Sequence, residues 1–68
     1  MTTPAHVFAE RSTQSLARGD AEGALQHARQ GLAACGEIAG LIWEECEALR
    51  TLGRTPERVL RLNRLAAL

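Results

Sequence analysis

Hydrophobic side chains recur along this chain at intervals of three and four residues, with polar side chains between them. The most regular stripe is Ile38, Leu41, Ile42, Cys46, Leu49 and Leu52. This spacing places the apolar side chains on one face of an α-helix, whereas a half-buried strand would need strict alternation. The pattern predicts an all-α chain of four helices, over about residues 4–18, 21–34, 37–52 and 56–68.

Two turns group the predicted helices into two antiparallel hairpins. Gly19 can adopt the left-handed conformation that ends a helix, and the carboxylate of Asp20 can cap the next helix. At the second turn we expect Gly53 to end the third helix, Thr55 to be the N-cap of the fourth, and Pro56 to be its first residue. The resulting single domain, residues 1–68, contains hairpins over about residues 4–35 and 37–67.

The first hairpin has few large side chains for its core. Phe8 is its only aromatic residue and is expected to fill its centre. Ser12 and Ser15 stand where stronger core residues are expected. Gly23 and Gly31 lie inside the second helix, where each costs about 1 kcal/mol in helix propensity relative to alanine. Such glycines are tolerable where they permit close contact, so we expect a tight hairpin.

The turn glycines, Gly19 and Gly53, are 34 residues apart, which is the period of tetratricopeptide repeats. Further shared positions are Phe8, Asp20, Ala24, Leu25 and Leu32 in the first hairpin, and Ile42, Val59 and Leu62 in the second. The two hairpins therefore resemble tandem tetratricopeptide repeats. The resemblance implies stacked hairpins whose first helices line a shallow concave face.

The concave face implied by this resemblance is the first candidate binding surface. By position, its candidate residues are His6, Ala9, Thr13, Trp43, Glu47 and Arg50. Trp43, Glu47 and Arg50 are four and then three residues apart, so they share a helix face. An aromatic side chain beside an ion pair could anchor a peptide or a partner helix. The alternative is a surface tryptophan packed on its own neighbours.

The predicted fourth helix has a wider apolar band than one neighbouring helix can cover. Besides Leu60, it carries the candidate interface residues Val59, Leu62, Leu65, Ala66 and Leu68. Repeat stacks usually need about three units, or a polar capping helix, to cover their terminal apolar face. We therefore expect this face to bind a second copy, giving a homodimer, or a larger protein partner.

Charge is balanced, with eight arginines against eight acidic residues and no lysine. A net charge of zero argues against a protein that coats nucleic acid or a membrane surface, since such binding relies on excess positive charge. The local exception is a possible basic stripe of Arg54, Arg58, Arg61 and Arg64. It is either a solvated face, or one paired with Glu37, Glu44, Glu45 and Glu47, or a contact for an acidic partner or nucleic acid.

The remaining chemistry gives no catalytic or metal site. Four side chains could serve as zinc ligands: His6, His27, Cys35 and Cys46. No two of them are at a chelating spacing. Phosphate-binding loops and nucleophile elbows are absent, so we expect no cofactor and no enzymatic activity. The sequence shows no secretion signal and no apolar run near 18 residues. We expect a cytoplasmic location and reduced cysteines.

These observations together predict a small protein–protein interaction module. Its expected role is that of an adaptor, an assembly factor or an accessory subunit, with a protein partner or self-association and no membrane contact. The alternative is a small regulator that binds an acidic partner or nucleic acid through the arginines of the fourth helix.

Overall fold

The computed structural model describes residues 3–68, and four α-helices account for most of them. They are α1 (Ala5–Ala17), α2 (Ala21–Cys35), α3 (Ala39–Thr51) and α4 (Thr55–Ala67). Each helix packs against the next one along the chain, and α1 also contacts α3. The described residues form no strand. The prediction of an all-α chain of four helices is confirmed.

The first turn has the geometry expected from its sequence. Gly19 has a φ of +80°, and its amide donates to the carbonyl of Leu16 at 3.0 Å. The Asp20 side chain accepts a hydrogen bond from the amide of Gly23 at 2.9 Å, which caps α2. Both predicted roles are confirmed, and the turn reverses the chain within three residues.

Replacing Asp20 with alanine should lower the free energy of unfolding by about 1 kcal/mol, because the Gly23 amide loses its partner at the helix start. Urea denaturation followed by circular dichroism measures this loss. Asp20→Asn is the matched control, since asparagine is an equally good N-cap and should stay near the original stability. Equal losses in both variants would contradict a capping role.

The second turn differs from the sequence prediction by one residue. Gly53 has the expected positive φ, +72°. The N-cap, however, is Arg54, whose carbonyl accepts from the amide of Arg58 at 3.1 Å, and no side chain caps this end. Thr55 already has helical backbone geometry, so the prediction of Thr55 as N-cap is wrong, and Pro56 is the second helical residue. A proline there still loses no helical hydrogen bond.

The core follows the predicted stripe of α3. Leu41, Ile42, Cys46 and Leu49 are at most 1% exposed. Ile38 is an exception, because α3 begins at Ala39 and leaves Ile38 at its N-cap with 38% of its surface exposed. Its expected place in the core stripe is therefore wrong: a residue before the first helical turn does not follow the helical face.

The contact between α1 and α2 is close, as the prediction of a tight hairpin requires. Ser12 and Ser15 are buried, and the Ser12 hydroxyl donates to the Ala24 carbonyl at 2.9 Å. A methyl group at Gly31 would lie 2.8 Å from the β-carbon of Phe8. Small side chains thus allow the helices to approach, and Phe8 is buried as predicted.

Burial is distributed unevenly among the helices. In α2 five residues are buried and in α3 six, whereas in α4 none is. Both middle helices have neighbours on two sides, while α4 packs only on α3 within the described residues. Helix α4 is therefore the helix whose surface is most available for binding.

Candidate protein-binding surface

The predicted apolar residues of α4 are divided between its α3-facing side and its open sides. Leu62 and Leu65 are half-buried, and Ala66 is exposed. Val59 and Leu68 are 48% and 56% exposed. Leu60, which was outside the predicted interface, is more exposed still, at 68%. The apolar band thus lies on a helix that packs against α3 on one side and has no buried residue.

Three hydrogen bonds define which side of α4 faces α2. Glu57 accepts from Arg29 of α2, and Arg61 donates to Glu45, which also accepts from Arg29. Residues advance by about 100° along a helix. Val59, Leu62 and Ala66 are therefore about 100–160° around α4 from Arg61. They lie on the side away from α2.

Trp43 of α3 is a further exposed apolar side chain on the side away from α2. It is two residues from Glu45, which turns it about 160° away from the side that faces α2. Its side chain is 49% exposed. We call the group of Trp43, Val59, Leu62 and Ala66 the outer edge. It combines apolar side chains from both helices of the second hairpin.

On the side of the second hairpin that faces α2, a buried carboxylate joins three helices. Glu45 of α3 is 4% exposed. It accepts hydrogen bonds from Nε of Arg29 at 3.1 Å and from Nε of Arg61 at 2.5 Å. Burying a charge is costly unless it is paired and hydrogen-bonded, and here both carboxylate oxygens have an arginine partner. Glu45 therefore links α2 and α4 through α3.

Further ion pairs extend from this carboxylate to the surface. Glu37 pairs with Arg61 at 3.3 Å and with Arg64 at 3.4 Å. Arg61 is partly buried, which opposes its charge, but its bonds to Glu45 and Glu37 outweigh that effect and raise its pKa. Exposed pairs of this kind contribute little individually. Their value here is that they orient arginines around the buried Glu45.

The start of α4 has a second group of ion pairs. Arg54 donates to both oxygens of Glu57, at 2.8 and 2.9 Å, and its guanidinium lies 3.8 Å from Glu22 of α2. The hydrogen bond from Arg54, with the charges of Arg54 and Arg29, lowers the pKa of Glu57. These ion pairs link the start of α4 to α2, although the two helices do not pack against each other.

Three arginines of the predicted basic stripe are thus engaged with acids of the same chain: Arg54, Arg61 and Arg64. Arg58, the fourth, is half-buried, and its Nε has no hydrogen-bond partner among the described residues. Of the four acids considered as partners, Glu37 and Glu45 pair with the stripe. The positive charge of α4 is therefore largely neutralised within the chain.

The predicted groove residues do not gather into one cluster. Thr13 donates to Glu44 at 3.1 Å, which joins α1 to α3. Glu47 and Arg50 form an exposed ion pair at 2.9 Å. Trp43 is exposed on the outer edge, so the groove prediction is divided between two surfaces.

A different groove lies between the beginnings of α1 and α3. It has a volume of about 350 Å³ and almost entirely apolar walls. Its lining residues are Ala5, His6, Ala9, Ile38, Gly40 and Leu41. Of the predicted groove residues, only His6 and Ala9 line it. The other lining residues were missed because Ile38 leaves the α3 stripe and Gly40 has no side chain to mark it.

The remaining histidine and the cysteines form no reactive group. His27 Nδ1 is buried and has no hydrogen-bond partner among the described residues. Cys35 and Cys46 are free thiols, and burial raises the pKa of Cys46, as does the adjacent Glu45 carboxylate. No three metal-binding side chains converge within residues 3–68, and none of the helices described there could span a bilayer.

No family model matches this chain, and no curated protein or solved structure matches it either. The residue that sequence reasoning undervalued most is Glu45. Its place between the core positions Leu41 and Leu49, four residues from each, was the available signal.

Proposed function

We propose that this chain is a protein–protein interaction module, acting as an adaptor, an assembly factor or an accessory subunit, and that it binds through the outer edge. The observation that carries the proposal is the exposure of the apolar side chains of α4. This helix has apolar side chains on two sides and no buried residue. An apolar surface of this kind is a common mark of a protein contact.

The rest of the chain supports an interaction role over a chemical one. The two hairpins resemble tetratricopeptide repeats, a family of binding scaffolds, and such stacks need a cover for their terminal apolar face. The groove between α1 and α3 has apolar walls, without a convergent set of polar groups. The runner-up, an acidic or nucleic-acid partner for the α4 arginines, has less support because Arg54, Arg61 and Arg64 already pair with acids.

Photo-crosslinking tests this proposal without knowledge of the partner. A benzoylphenylalanine at Val59 lies on the outer edge, and in cells that produce the chain it should form a discrete covalent protein adduct. Leu60 is the matched control, because it is more exposed but turned about 100° away. A benzoylphenylalanine there should give at most a weak adduct.

Two results would contradict the proposal. One is the absence of any adduct at Val59 and at Trp43, which together sample both helices of the outer edge. The other is equal labelling at Val59 and Leu60, which indicates random collisions. Adducts that arise only at His6 would move the binding surface to the groove between α1 and α3.

A further inference from the structure

We infer that α4 is a releasable helix, which detaches from α3 as a unit while the other three helices stay folded, and so uncovers the thiol of Cys46. This opening concerns the free chain and requires no partner. The outer edge exists only in the docked form, because α3 contributes Trp43 to it and α4 contributes the remaining residues. Detachment of α4 would therefore switch this candidate binding surface off.

The hydrophobic core cluster includes no residue of α4. Within residues 3–68 its members, with the side chains packed against it, are Leu16, Ala24, Leu25, Ala48, Leu49 and Leu52. They come from α1, α2, α3 and the C-cap of α3. Helix α4 has no buried residue and packs on a single neighbour among the described helices. Elements with few buried apolar contacts open locally, at a free energy below that of global unfolding.

Ion pairs tie α4 to the rest of the chain. Arg61 bonds to Glu45, which is buried in α3. Arg61 also pairs with Glu37, and Glu57 pairs with Arg29 of α2, but both of these carboxylates are exposed to solvent. Exposed pairs contribute little individually. The bond between Arg61 and Glu45 is therefore the tie on which the docked position of α4 depends most.

The thiol of Cys46 lies beneath α4 and is fully buried. Around α3, Cys46 is about 100° beyond Glu45 and about 60° before the exposed Trp43, on the side away from α2. Burial and Glu45 raise the pKa of this thiol, whereas the charges of Arg58 and Arg61 in α4 lower it. Helix α4 is thus the neighbour that covers Cys46, and its detachment would expose the thiol.

Hydrogen exchange of the purified chain, followed by NMR at urea concentrations below the unfolding transition, tests the inference. We expect amides in the middle of α4 to exchange about tenfold or more faster than those in the middle of α2, because detachment costs less than global unfolding. The α4 rates should also depend less on urea, since this dependence scales with the surface that an opening exposes.

A variant of Arg61 tests how α4 is held. Arg61→Gln should raise the exchange rates in α4 by roughly tenfold, because the buried Glu45 loses its partner on that helix. Arg50→Gln is the control. Arg50 pairs with Glu47 on α3 itself, so its loss removes no tie between helices, and exchange in α4 should stay near that of the unmodified chain.

Thiol labelling shows whether detachment uncovers Cys46. A Cys35→Ser, Ser15→Cys chain carries a second buried thiol in α1, because Ser15 is buried there. Dithiobis(nitrobenzoic acid) should label Cys46 about tenfold or more faster than the thiol at position 15, since the latter reacts only when the first hairpin opens. Peptide mass spectrometry of briefly labelled samples measures both initial rates in the same molecules.

Three results would overturn the inference. Equal exchange in α4 and α2, with the same dependence on urea, would show that the helices open together. Equal initial labelling of the two thiols would show that Cys46 reacts only through global unfolding. Unchanged α4 exchange in Arg61→Gln would show that the ion pairs do not hold the helix. The proposed function is separate from all three, because crosslinking at Val59 tests it in the presence of a partner.

Discussion

Replacing Glu45 with glutamine should destabilise the chain by about 2–3 kcal/mol. Glutamine has nearly the same size but no charge, so Arg29 and Arg61 lose the carboxylate that holds them between helices. Removing one partner from a buried pair typically costs about 3–5 kcal/mol. We expect less here because the side chains of Arg29 and Arg61 are 46% and 26% exposed, and water can partly solvate them.

Thermal or urea denaturation of the full chain measures this effect. For a domain of this size the loss corresponds to a fall of roughly 10 °C or more in the midpoint. The matched control is Glu47→Gln on the same helix. Its ion pair with Arg50 is exposed, so its loss should stay within about 0.5 kcal/mol. Similar losses at Glu45 and Glu47 would show that burial of Glu45 has no special weight.

Replacing Gly31 with alanine should also destabilise the chain, although alanine is the better helix former. The new methyl group would lie 2.8 Å from the β-carbon of Phe8 and 2.9 Å from a methyl group of Leu41. The Leu41 side chain can adjust, but the Phe8 β-carbon is attached directly to the α1 backbone. The helices would have to separate, which costs about 1–3 kcal/mol.

Against this cost stands a gain of about 1 kcal/mol in helix propensity. We place the penalty at the upper end of its range because Phe8 cannot move alone, so the expected net loss is about 1–2 kcal/mol. Gly40→Ala is the matched control. A β-carbon at Gly40 would meet nothing within 4 Å, so this variant should gain up to about 1 kcal/mol. The two variants should differ in sign, and a gain at both positions would show that the α1–α2 contact is loose.

Local sequence features predicted the helices and the first turn well. Gly19 and Asp20 act within a few residues of themselves, so their roles follow from their chemistry and their place in the chain. The α3 stripe was equally readable, because Leu41 and Leu49 lie on one face of any regular helix. Helix boundaries were predicted less accurately. The N-cap of α4 is Arg54 and not Thr55, and no side-chain pattern marks it, because its carbonyl only accepts the first intrahelical hydrogen bond.

The candidate surfaces were predicted less completely, because they combine residues from different helices. Thr13 was assigned to a groove, but its hydroxyl bonds to Glu44 across the α1–α3 contact. Trp43 was grouped with Glu47 and Arg50 by helical spacing, yet the outer edge joins it with apolar residues of α4. Spacing along one helix cannot show which surface of the next helix lies beside it.

By itself the sequence determined the all-α fold, the turn at Gly19 and Asp20, and the apolar band of α4, since each depends on periodicity or on local capping. Only the tertiary structure decided that Glu45 is buried between two arginines and that Gly31, of the two glycines inside α2, is the one that lies against Phe8. Both depend on side chains that are distant in sequence, and burial changes their energetics: it makes an unpaired charge costly and leaves no space for an added methyl group.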